Sequence, residues 1–490
     1  MAAHPQPARA GTSLPTALPR ARRAVSALAA LLVLSGCSSI NQVTSALGLT
    51  GSGPRPGEPG YVTGFAGAVA SEDPRAALVA RDILAAGGSA ADAAVAAGLV
   101  MTVTLPSRAG LGGGGACLVF DPRRGTTDAI VFPAAAPAQN APGADRPAAV
   151  PLMARGLYAV HARMGRLPFE QMVAPAEQLA RFGAQVSPTL AADLATVGPS
   201  LLVDPRSRAV FEGATGTGAQ IVQPDLATTL GRLRTLGVGD FHQGALAQRI
   251  AEASVAAGGG LRVADLRDAL PRLTTPINVA VGNDVASFLP PPADGGLAAA
   301  AAFNALRAGA SPAAAQNTAL SVAAGARAGG DPATLLANPP AGGSTGALPA
   351  STSLTVADPD GGAVSCAFSM NNLFGTGRTL PGLGFLLAPA PRGAIAPPLL
   401  SAVLVSNSNV KAFRYAGAGS GQEAAPMAVA VPMVPSLAGR GILRDALAAA
   451  PEPARGVAIG CPGYLPTEPT SCQAAVDPRG GGLAVVNRGN

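Results

Sequence analysis

Residues 351–369 read STSLTVADPDGGAVSCAFS, and this stretch predicts a β-hairpin whose first strand begins with a hydroxyl residue. A β-forming run ends at Ala357, the turn sequence DPDGG occupies residues 358–362, and a second apolar run continues to Phe368. Residues 324–350, immediately before the hairpin, are rich in Gly, Ala and Pro and show no hydrophobic periodicity. They indicate a mobile, protease-accessible segment that leads directly into a sheet strand.

Closer to the N-terminus, the sequence predicts a strand, two helices and a glycine run. The strand near Ala68 leads into a Ser/Asp-Pro helix start, and the helix stops at the glycine pair 87–88. An Ala-rich helix follows from Ala90. Four glycines at 112–115 then enter a Val/Phe strand, which indicates backbone packed too closely for side chains.

The composition indicates a folded protein with a large core. Hydrophobic residues make up 48% of the 490 residues and charged residues only 13%, the opposite of a disordered chain. The net charge is +6, but four arginines and no acid precede residue 37, so the remainder carries 6 − 4 = +2. No basic run remains, and nucleic-acid binding is not expected.

The N-terminus has the pattern of an exported lipoprotein. The early arginines end at Arg23, and residues 24–34 form an apolar stretch of signal-peptide length. The sequence LSGC at 34–37 resembles a lipobox, which predicts a signal peptide at 1–36, lipidation of Cys37, a Ser/Gly/Pro-rich tether at 37–60 and a location in the bacterial envelope, on the periplasmic side or at the outer membrane. An ordinary secreted protein with a chance cysteine is the alternative.

The remaining four cysteines divide into two pairs by context. Cys461 and Cys472 bracket a Pro/Gly-rich loop, where a disulfide is expected in an oxidising compartment. Cys117 and Cys366 lie in apolar strand-like runs and are predicted to be buried structural thiols.

Histidine chemistry is not favoured. Besides His4 in the signal region, the chain has only His161, in a helical pattern, and His242, near a turn. Neither has an acid at ligand spacing, so no metal is expected and a Ser-His-Asp triad is disfavoured. A nucleophile paired with its own N-terminal amine remains open.

An ordered series of motifs over residues 66–486 resembles the γ-glutamyltransferase family. The series comprises AGGSAADAAVA at 86–96, GLGGGG at 110–115, FPAAAPA at 132–138, GRLPF at 165–169, QPDLATTL at 223–230, PPPADGG at 290–296, VADPDGGAVS at 356–365, NNLFGTG at 371–377 and DPR at 477–479. The resemblance implies an α+β fold, the N-terminal-nucleophile hydrolase αββα sandwich, with two antiparallel sheets between helical layers. It further implies one precursor, cut into a large-subunit-like region at 61–350 and a small-subunit-like region at 351–490, which together form one interwoven domain.

The resemblance also assigns the acyl-transfer residues. The family's nucleophile stands seven residues before the aspartate of the turn, and this offset from Asp358 gives Ser351. Ser369 matches a hydroxyl that assists the nucleophile, and Asn371 matches an asparagine that contacts the substrate. The oxyanion hole is expected from a backbone turn that comprises Gly417, Ala418 and Gly419. The alternatives are a one-residue slip to Thr352, or an uncut chain in which Ser351 is only a linker serine.

The groups that recognise glutamate depart from the family pattern. The arginine that grips the α-carboxylate is Pro133 here, and the acidic stretch that holds the α-amine is replaced by APAPRG at 388–393. Ser401 alone remains of a substrate-binding serine pair. Arg108 and Arg392 are the candidates to replace the arginine, and a solvated surface role is the alternative for each.

The expected function is therefore a self-processing hydrolase or acyltransferase that cuts γ-glutamyl or related amide bonds through an acyl-Ser351 ester. Glutathione is the family's usual donor. The alternatives are a catalytically inactive envelope lipoprotein and an acylase for a non-glutamyl substrate. No cofactor is expected, and the partners are a small-molecule substrate, a membrane through the lipid anchor alone, and the two fragments of the same precursor.

Overall fold

A computed structural model describes residues 64–139, 143–214, 216–346, 348–392 and 395–488. The predicted signal peptide (1–36), the lipidation site Cys37 and the tether (37–60) lie outside the described residues. None of the helices within the described ranges is long and apolar enough to cross a membrane.

The described chain alternates helices and strands. The strands are β1 Phe65–Ser71, β2 Gly114–Asp121, β3 Thr126–Phe132, β4 Ala184–Gln185, β5 Gln220–Ile221, β6 Arg272–Thr274, β7 Ile277–Val281, β8 Asp284–Phe288, β9 Ser351–Ala357, β10 Ala363–Ser369, β11 Ser401–Asn407, β12 Ala412–Ser420, β13 Arg455–Leu465, β14 Gln473–Val476 and β15 Leu483–Arg488. The α-helices are α1 Pro74–Ala85, α2 Ala90–Thr104, α3 Met153–Met164, α4 Phe169–Phe182, α5 Pro188–Leu201, α6 Pro205–Phe211, α7 Pro224–Gln243, α8 Ala245–Ala256, α9 Val263–Asp268, α10 Asp294–Arg307, α11 Pro312–Arg327, α12 Pro332–Ala337, α13 Ala425–Leu437 and α14 Leu443–Ala448.

Two large antiparallel sheets form the centre of the molecule. The seven-stranded sheet has the order β15-β1-β9-β10-β2-β3-β6, and the six-stranded sheet has the order β14-β13-β12-β11-β8-β7. An apolar cluster between the sheets includes Ala367, Leu404 and Ala418. Helices cover both outer faces, with α1 to α5, α7 and α8 on the first sheet and α10, α11 and α13 on the second. The αββα sandwich predicted from the sequence is confirmed.

The predicted hairpin is β9–β10. Asp358 closes its turn, since its backbone N–H donates to the Gly362 carbonyl at 2.8 Å and its carboxylate accepts from the Gly362 N–H at 2.8 Å. Gly361 has φ +87°, a conformation that glycine adopts without steric cost. The same carboxylate accepts from the Ala90 N–H at 3.0 Å, so the turn also binds the start of α2.

Strand alternation decides which β9 side chains can reach the site. Leu354 and Val356 pack in the cluster beneath the helices, whereas Ala357 belongs to the cluster between the sheets. Successive side chains of a strand point to opposite faces. Ser351 and Ser353 therefore face the six-stranded sheet.

The glycine run at 112–115 has the close packing that its sequence indicates. A Cβ on Gly112 would lie 2.0 Å from the Leu386 carbonyl oxygen, and one on Gly114 would lie 2.3 Å from that of Phe132. Side chains at these positions would push apart the loops that lead into the site.

The prediction of an irregular segment across 324–350 is wrong for its first half. Helix α11 continues to Arg327, and α12 occupies Pro332–Ala337. Asp331 caps α12 by accepting from the Thr334 N–H at 2.9 Å, and Leu335 is buried against Gly325. A side-chain cap and one apolar contact are enough for a short helix, and neither produces periodicity that a sequence scan detects.

The prediction of free thiols at Cys117 and Cys366 is also wrong. Both are buried, but they form a disulfide across the paired strands β2 and β10, where they stand directly opposite each other. Local sequence patterns do not reveal this pairing, because the two cysteines are 249 residues apart. A second disulfide joins Cys461 to Cys472.

Candidate active site

Ser351 is the first residue of β9 and is only 2% exposed in the uncut chain. It stands directly opposite Ser369, the last residue of β10. Thr352 points the other way, into the helical side, and its Oγ1 has no hydrogen-bond partner among the described residues. The alternation of the strand therefore separates Thr352 from the groups that surround Ser351.

Ser369 contacts the peptide bond that precedes Ser351. Its Oγ donates a hydrogen bond to the carbonyl oxygen of Ala350 at 2.9 Å, and the same Oγ accepts from the Asn371 N–H at 2.9 Å. The hydroxyl is thereby held in one orientation. A donor on a carbonyl oxygen polarises that carbonyl and stabilises negative charge on it during nucleophilic attack.

Asn371 uses its side chain to hold the surrounding backbone. Its Nδ2 donates to the Ala134 carbonyl at 2.8 Å and to the Pro389 carbonyl at 3.1 Å. Ala134 follows Pro133, and Pro389 lies in the stretch that replaces the family's acidic motif. The two segments that depart from the family pattern are thus fixed against each other, and the two donor positions of the amide are occupied.

Arg108 lies beside Ser351 and not on the open surface, so the solvated-surface alternative is wrong. Its Nε and Nη2 bind the two carboxylate oxygens of Asp193, each at 2.8 Å. Its Nη1 is 3.4 Å from the Ser351 carbonyl oxygen. The arginine side chain is 20% exposed. Since β1 pairs with β9 only from Leu354 onward, Arg108 supplies a donor where the neighbouring strand has ended.

Arg392 lies on the other side of the site. Its Nη2 donates to the Pro137 carbonyl at 2.6 Å. Together with Arg146 and Pro389 it lines a cavity of about 390 Å³. The two arginines proposed from sequence therefore occupy separate surroundings, one at Ser351 and one near Asn371.

The structure does not bring Ser401 to Ser351. Ser401 shares a face of β11 with Val403 and Val405, which pack beneath the helices of the second sheet. Its Oγ donates to the Leu399 carbonyl at 3.3 Å and lies where a Cβ on Gly295 would come within 2.6 Å. The hydroxyl is directed toward α10, away from the space between the sheets.

The predicted oxyanion turn is a strand in the structure. Gly417, Ala418 and Gly419 lie within β12 and pair with β11 on one side and β13 on the other. Backbone amides in an interior strand lie in the plane of the sheet and bond its neighbours. The chain turns only after Ser420, where Gln422 Nε2 donates to the Leu348 carbonyl at 3.0 Å, close to the Ala350–Ser351 bond.

Sequence reasoning missed Glu72, which links the two sheets beside the site. Its Oε1 accepts from Ser353 Oγ at 2.6 Å and its Oε2 accepts from Ser420 Oγ at 2.7 Å. Burial raises the pKa of Glu72 to about 6, although Arg108 and the two serine hydroxyls act in the opposite direction. In the sequence Glu72 lies in a helix-start signal, and its partners are 281 and 348 residues away, so no local pattern reveals it.

The histidines stand apart from Ser351. His161 Nε2 lies 2.7 Å from the Leu167 carbonyl oxygen. His242 is fully buried, and this burial lowers its pKa to about 3. Among the described residues, no group of three or more His, Cys, Asp or Glu is arranged to hold a metal ion.

Comparison with solved structures identifies the class of fold. The chain superposes on the crystal structure of cephalosporin acylase from Bacillus halodurans with a TM-score of 0.69 at 21% identity, covering 90% of this chain and 99% of that one. The αββα sandwich with a hydroxyl residue at the start of a central strand is that of the N-terminal-nucleophile hydrolases.

Comparison of sequences then gives the family. The family model for Gamma-glutamyltranspeptidase matches residues 76–339, more than half of the chain. Glutathione hydrolase 3 of Arabidopsis thaliana is 32% identical over 243 residues, which are 47% of this chain and 38% of that protein. The glutathione hydrolase proenzyme of Escherichia coli K12 is 34% identical over 251 residues, 47% of this chain and 43% of that protein. The chain belongs to the gamma-glutamyltranspeptidase family, and its match spans less than half the length of these relatives.

Proposed function

We propose that this protein is a self-processing hydrolase or acyltransferase that cuts its own chain before Ser351 and then uses Ser351 to cleave γ-glutamyl or related amide bonds. The observation that carries the proposal is the 2.9 Å hydrogen bond from Ser369 Oγ to the carbonyl oxygen of Ala350. It places a fixed donor on the carbonyl that self-cleavage must attack, directly across the hairpin from the attacking hydroxyl.

The proposed first reaction is an N-to-O acyl shift. Ser351 Oγ attacks the Ala350 carbonyl carbon, and negative charge develops on the oxygen that Ser369 binds. The carbon–nitrogen bond then breaks as the proton lost from the hydroxyl passes to the Ser351 nitrogen. The Ala350 acyl group is then an ester on Ser351, and the Ser351 nitrogen is a free amine. Water hydrolyses the ester and leaves a carboxylate on Ala350.

The second reaction uses the new N-terminus. An α-amine has an ordinary pKa of about 7.7–8.0, so its neutral form can remove the hydroxyl proton near neutral pH. The guanidinium of Arg108, which reaches the Ser351 carbonyl, disfavours protonation of that amine. Ser351 Oγ attacks the amide carbonyl of the substrate, the carbon–nitrogen bond breaks, and the amine leaves with the proton held by the α-amine. Water or another amine then cleaves the acyl-Ser351 ester and restores the hydroxyl.

The substrate class rests on family membership and on the names of relatives. Glutathione hydrolases are among those relatives, which supports a γ-glutamyl donor. Two features favour the second candidate, an acylase for a non-glutamyl group: Pro133 stands where the family's arginine grips the α-carboxylate, and both donor positions of the Asn371 amide are used on backbone.

We also propose that the protein is exported and attached to the bacterial envelope through a lipid on Cys37. The lipobox-like sequence at 34–37 supports this assignment. Two disulfides among the described residues support an oxidising compartment.

A reducing gel of purified protein lacking residues 1–36 tests self-cleavage. We expect two fragments that meet at Ala350/Ser351, none from Ser351→Ala, and cleavage slowed about 10²-fold in Ser369→Ala. Ser369→Thr keeps the hydroxyl and is expected to cut, as is the control Thr352→Val. A wild-type chain that stays intact would reject the proposal and favour the inactive lipoprotein.

Turnover of γ-glutamyl-p-nitroanilide by the cleaved protein then separates the two substrate candidates. Release of p-nitroaniline supports the γ-glutamyl donor. A cleaved protein that releases none from this compound but hydrolyses glutaryl-p-nitroanilide, which lacks the α-amine, supports the acylase.

A further inference from the structure

A second cavity, of about 310 Å³, includes Glu72, which follows β1, whereas Asn371 follows β10 on the other side of β9. We call it the Arg455 cavity. Two residues of its lining contact β9, because Arg108 reaches the Ser351 carbonyl and Glu72 binds the Ser353 hydroxyl. Its lining comprises Glu72, Arg108, Arg455, Arg479, Asp477 and the glycines 480–482, together with the start of α5.

Three arginines line this cavity, and they differ in how far they are already paired. Arg108 is bound by Asp193 through two donors. Arg479 is bound by Asp477 in the same way, at 2.9 and 2.6 Å, and also reaches Glu452. In each of these arginines an aspartate already occupies the Nε–Nη2 edge of the guanidinium.

Arg455 differs from both. Its Nη1 binds Glu452 at 2.7 Å and the Ala454 carbonyl at 2.6 Å. The Glu452 side chain is 60% exposed, so water weakens this ion pair. Within the described ranges, Nε and Nη2 of Arg455 have no hydrogen bond, and this edge of a guanidinium binds a carboxylate through two parallel bonds.

Neither acid of the lining occupies that edge, and Asp477 is bound to Arg479. Both Glu72 oxygens already accept from serine hydroxyls, and Arg455 affects Glu72 only through its charge. Glycine keeps the neighbouring space free, since a Cβ on Gly480 would lie 3.4 Å from Cδ of Arg455.

We propose that the Arg455 cavity binds a carboxylate of the substrate, with Arg455 as the residue that selects it. This inference rests on the proposed function, because it adds a recognition group to the same nucleophile. It supplies a charged group in place of the family's arginine, whose position is Pro133 here. The carboxylate belongs either to the acyl part of the substrate or to its amine part.

Isothermal titration calorimetry on the Ser351→Ala chain tests the proposal without requiring cleavage or turnover. Glutarate represents a carboxylate on the acyl part, and glycylglycine represents one on the amine part. Glutaramide and glycylglycinamide are their counterparts without that carboxylate. We expect one of the two carboxylates to bind, and its identity assigns the part of the substrate that enters the cavity.

Arg455→Gln is expected to weaken that binding by about tenfold to a hundredfold, the range for loss of a charge-assisted pair. Arg455→Lys is expected to retain part of it. Arg272→Gln, an exposed arginine on the remote edge strand β6, is the control and should bind like its parent. The far-ultraviolet circular dichroism of each variant confirms that it is folded.

The proposal is overturned if neither carboxylate binds, if the amides bind equally well, or if Arg455→Gln leaves the affinity unchanged. These outcomes are independent of self-cleavage. A wild-type chain that fails to cut would reject the proposed function, whereas carboxylate binding to the Ser351→Ala chain would still be measured.

Discussion

At the scale of single residues, Glu72 shows how a buried carboxyl group can be retained beside β9. Its carboxylate lies between two sheets, and each oxygen accepts from a hydroxyl of a different sheet. Arg108 and Arg455 lower the cost of ionisation, but burial outweighs them and raises the pKa to about 6. The free-energy cost of burying Glu72 between the sheets therefore depends on pH, because it arises when the carboxyl group ionises.

This dependence predicts how stability changes with pH. The unfolded carboxyl ionises near pH 4.5 and the folded one near 6, so the folded state holds more protons between these values. The contribution of Glu72 is greatest below pH 4.5 and decreases as pH rises to 6. At 1.36 kcal/mol per pH unit, the loss is about 2 kcal/mol.

Glu72→Gln tests this contribution, because glutamine is similar in shape to the protonated acid and cannot ionise. Urea unfolding between pH 4 and 8, in the Ser351→Ala background so that all chains are uncut, gives the free energy of unfolding. We expect the free energy of unfolding of the variant to increase relative to that of its parent as pH rises from 4.5 to 6, by up to about 2 kcal/mol. A difference that does not change with pH would contradict the assignment.

Residues of the site differed in how well the sequence predicted them. The resemblance to the family assigned Ser351 and Ser369, and the structure places them opposite each other because a hairpin fixes which residues are paired. Glu72 and Asp193 could not be found this way, since each meets its partner only after the whole chain has folded. Ser401 has the expected residue type, but its side chain lies on the face of β11 that is turned toward α10. A match in residue type does not show on which face of a strand the side chain lies.

At the scale of elements, the helices and strands near the site follow from local signals. The Ser89–Asp92 capping box begins α2, and the Asp358 turn joins β9 to β10. Strand β12 was less predictable. Its glycines resemble a turn, yet each lies in a tightly packed strand: α13 packs on Gly419, and the Tyr415 and Val403 side chains pack on Gly417. Close packing and turn formation both select glycine.

The surroundings of Gly419 show how closely α13 and β12 pack. A Cβ there would lie 2.5 Å from Cβ of Ala428 and 3.0 Å from the Ala425 carbonyl oxygen. In the same uncut background, we expect Gly419→Ala to lower the free energy of unfolding by about 1–3 kcal/mol, the cost of overpacking. The urea midpoint gives the value.

Gly239→Ala in α7 is the matched control, because its Cβ would meet only the flexible Gln243 side chain at 3.9 Å. Alanine favours a helix over glycine, so this change is expected to be neutral or stabilising by up to about 1 kcal/mol. Equal effects of the two substitutions would show that α13 moves away from β12 at little cost.

At the scale of the whole molecule, the proposed cut divides one sandwich between two chains. Strands β1 and β2 precede the cut, and β9 and β10 follow it, yet all four lie in the same sheet. Neither fragment contains all the strands of either large sheet, since β7 and β8 of the second sheet also precede the cut while β11 to β14 follow it. The fragments should remain associated because separating them would expose the apolar cores on both faces of that sheet.

The Cys117–Cys366 disulfide adds a covalent connection that can be tested. Cys117 lies before the proposed cut and Cys366 after it, so the bond joins the two fragments. On a denaturing gel without reductant, wild-type protein should run as one species near the mass of its uncut chain, and with reductant as two. The Cys117→Ser/Cys366→Ser double variant should give two bands in both cases.

Cys461→Ser/Cys472→Ser is the matched control, because that disulfide lies wholly within residues 351–490 and cannot hold the fragments together. It should behave like the wild type on both gels. Fragments of alkylated wild-type protein that separate without reductant would contradict the cross-strand disulfide, whereas a single band under reducing conditions would contradict the cut itself. The two proposals are therefore distinguished by one pair of gels, since a disulfide can hide a broken peptide bond until it is reduced.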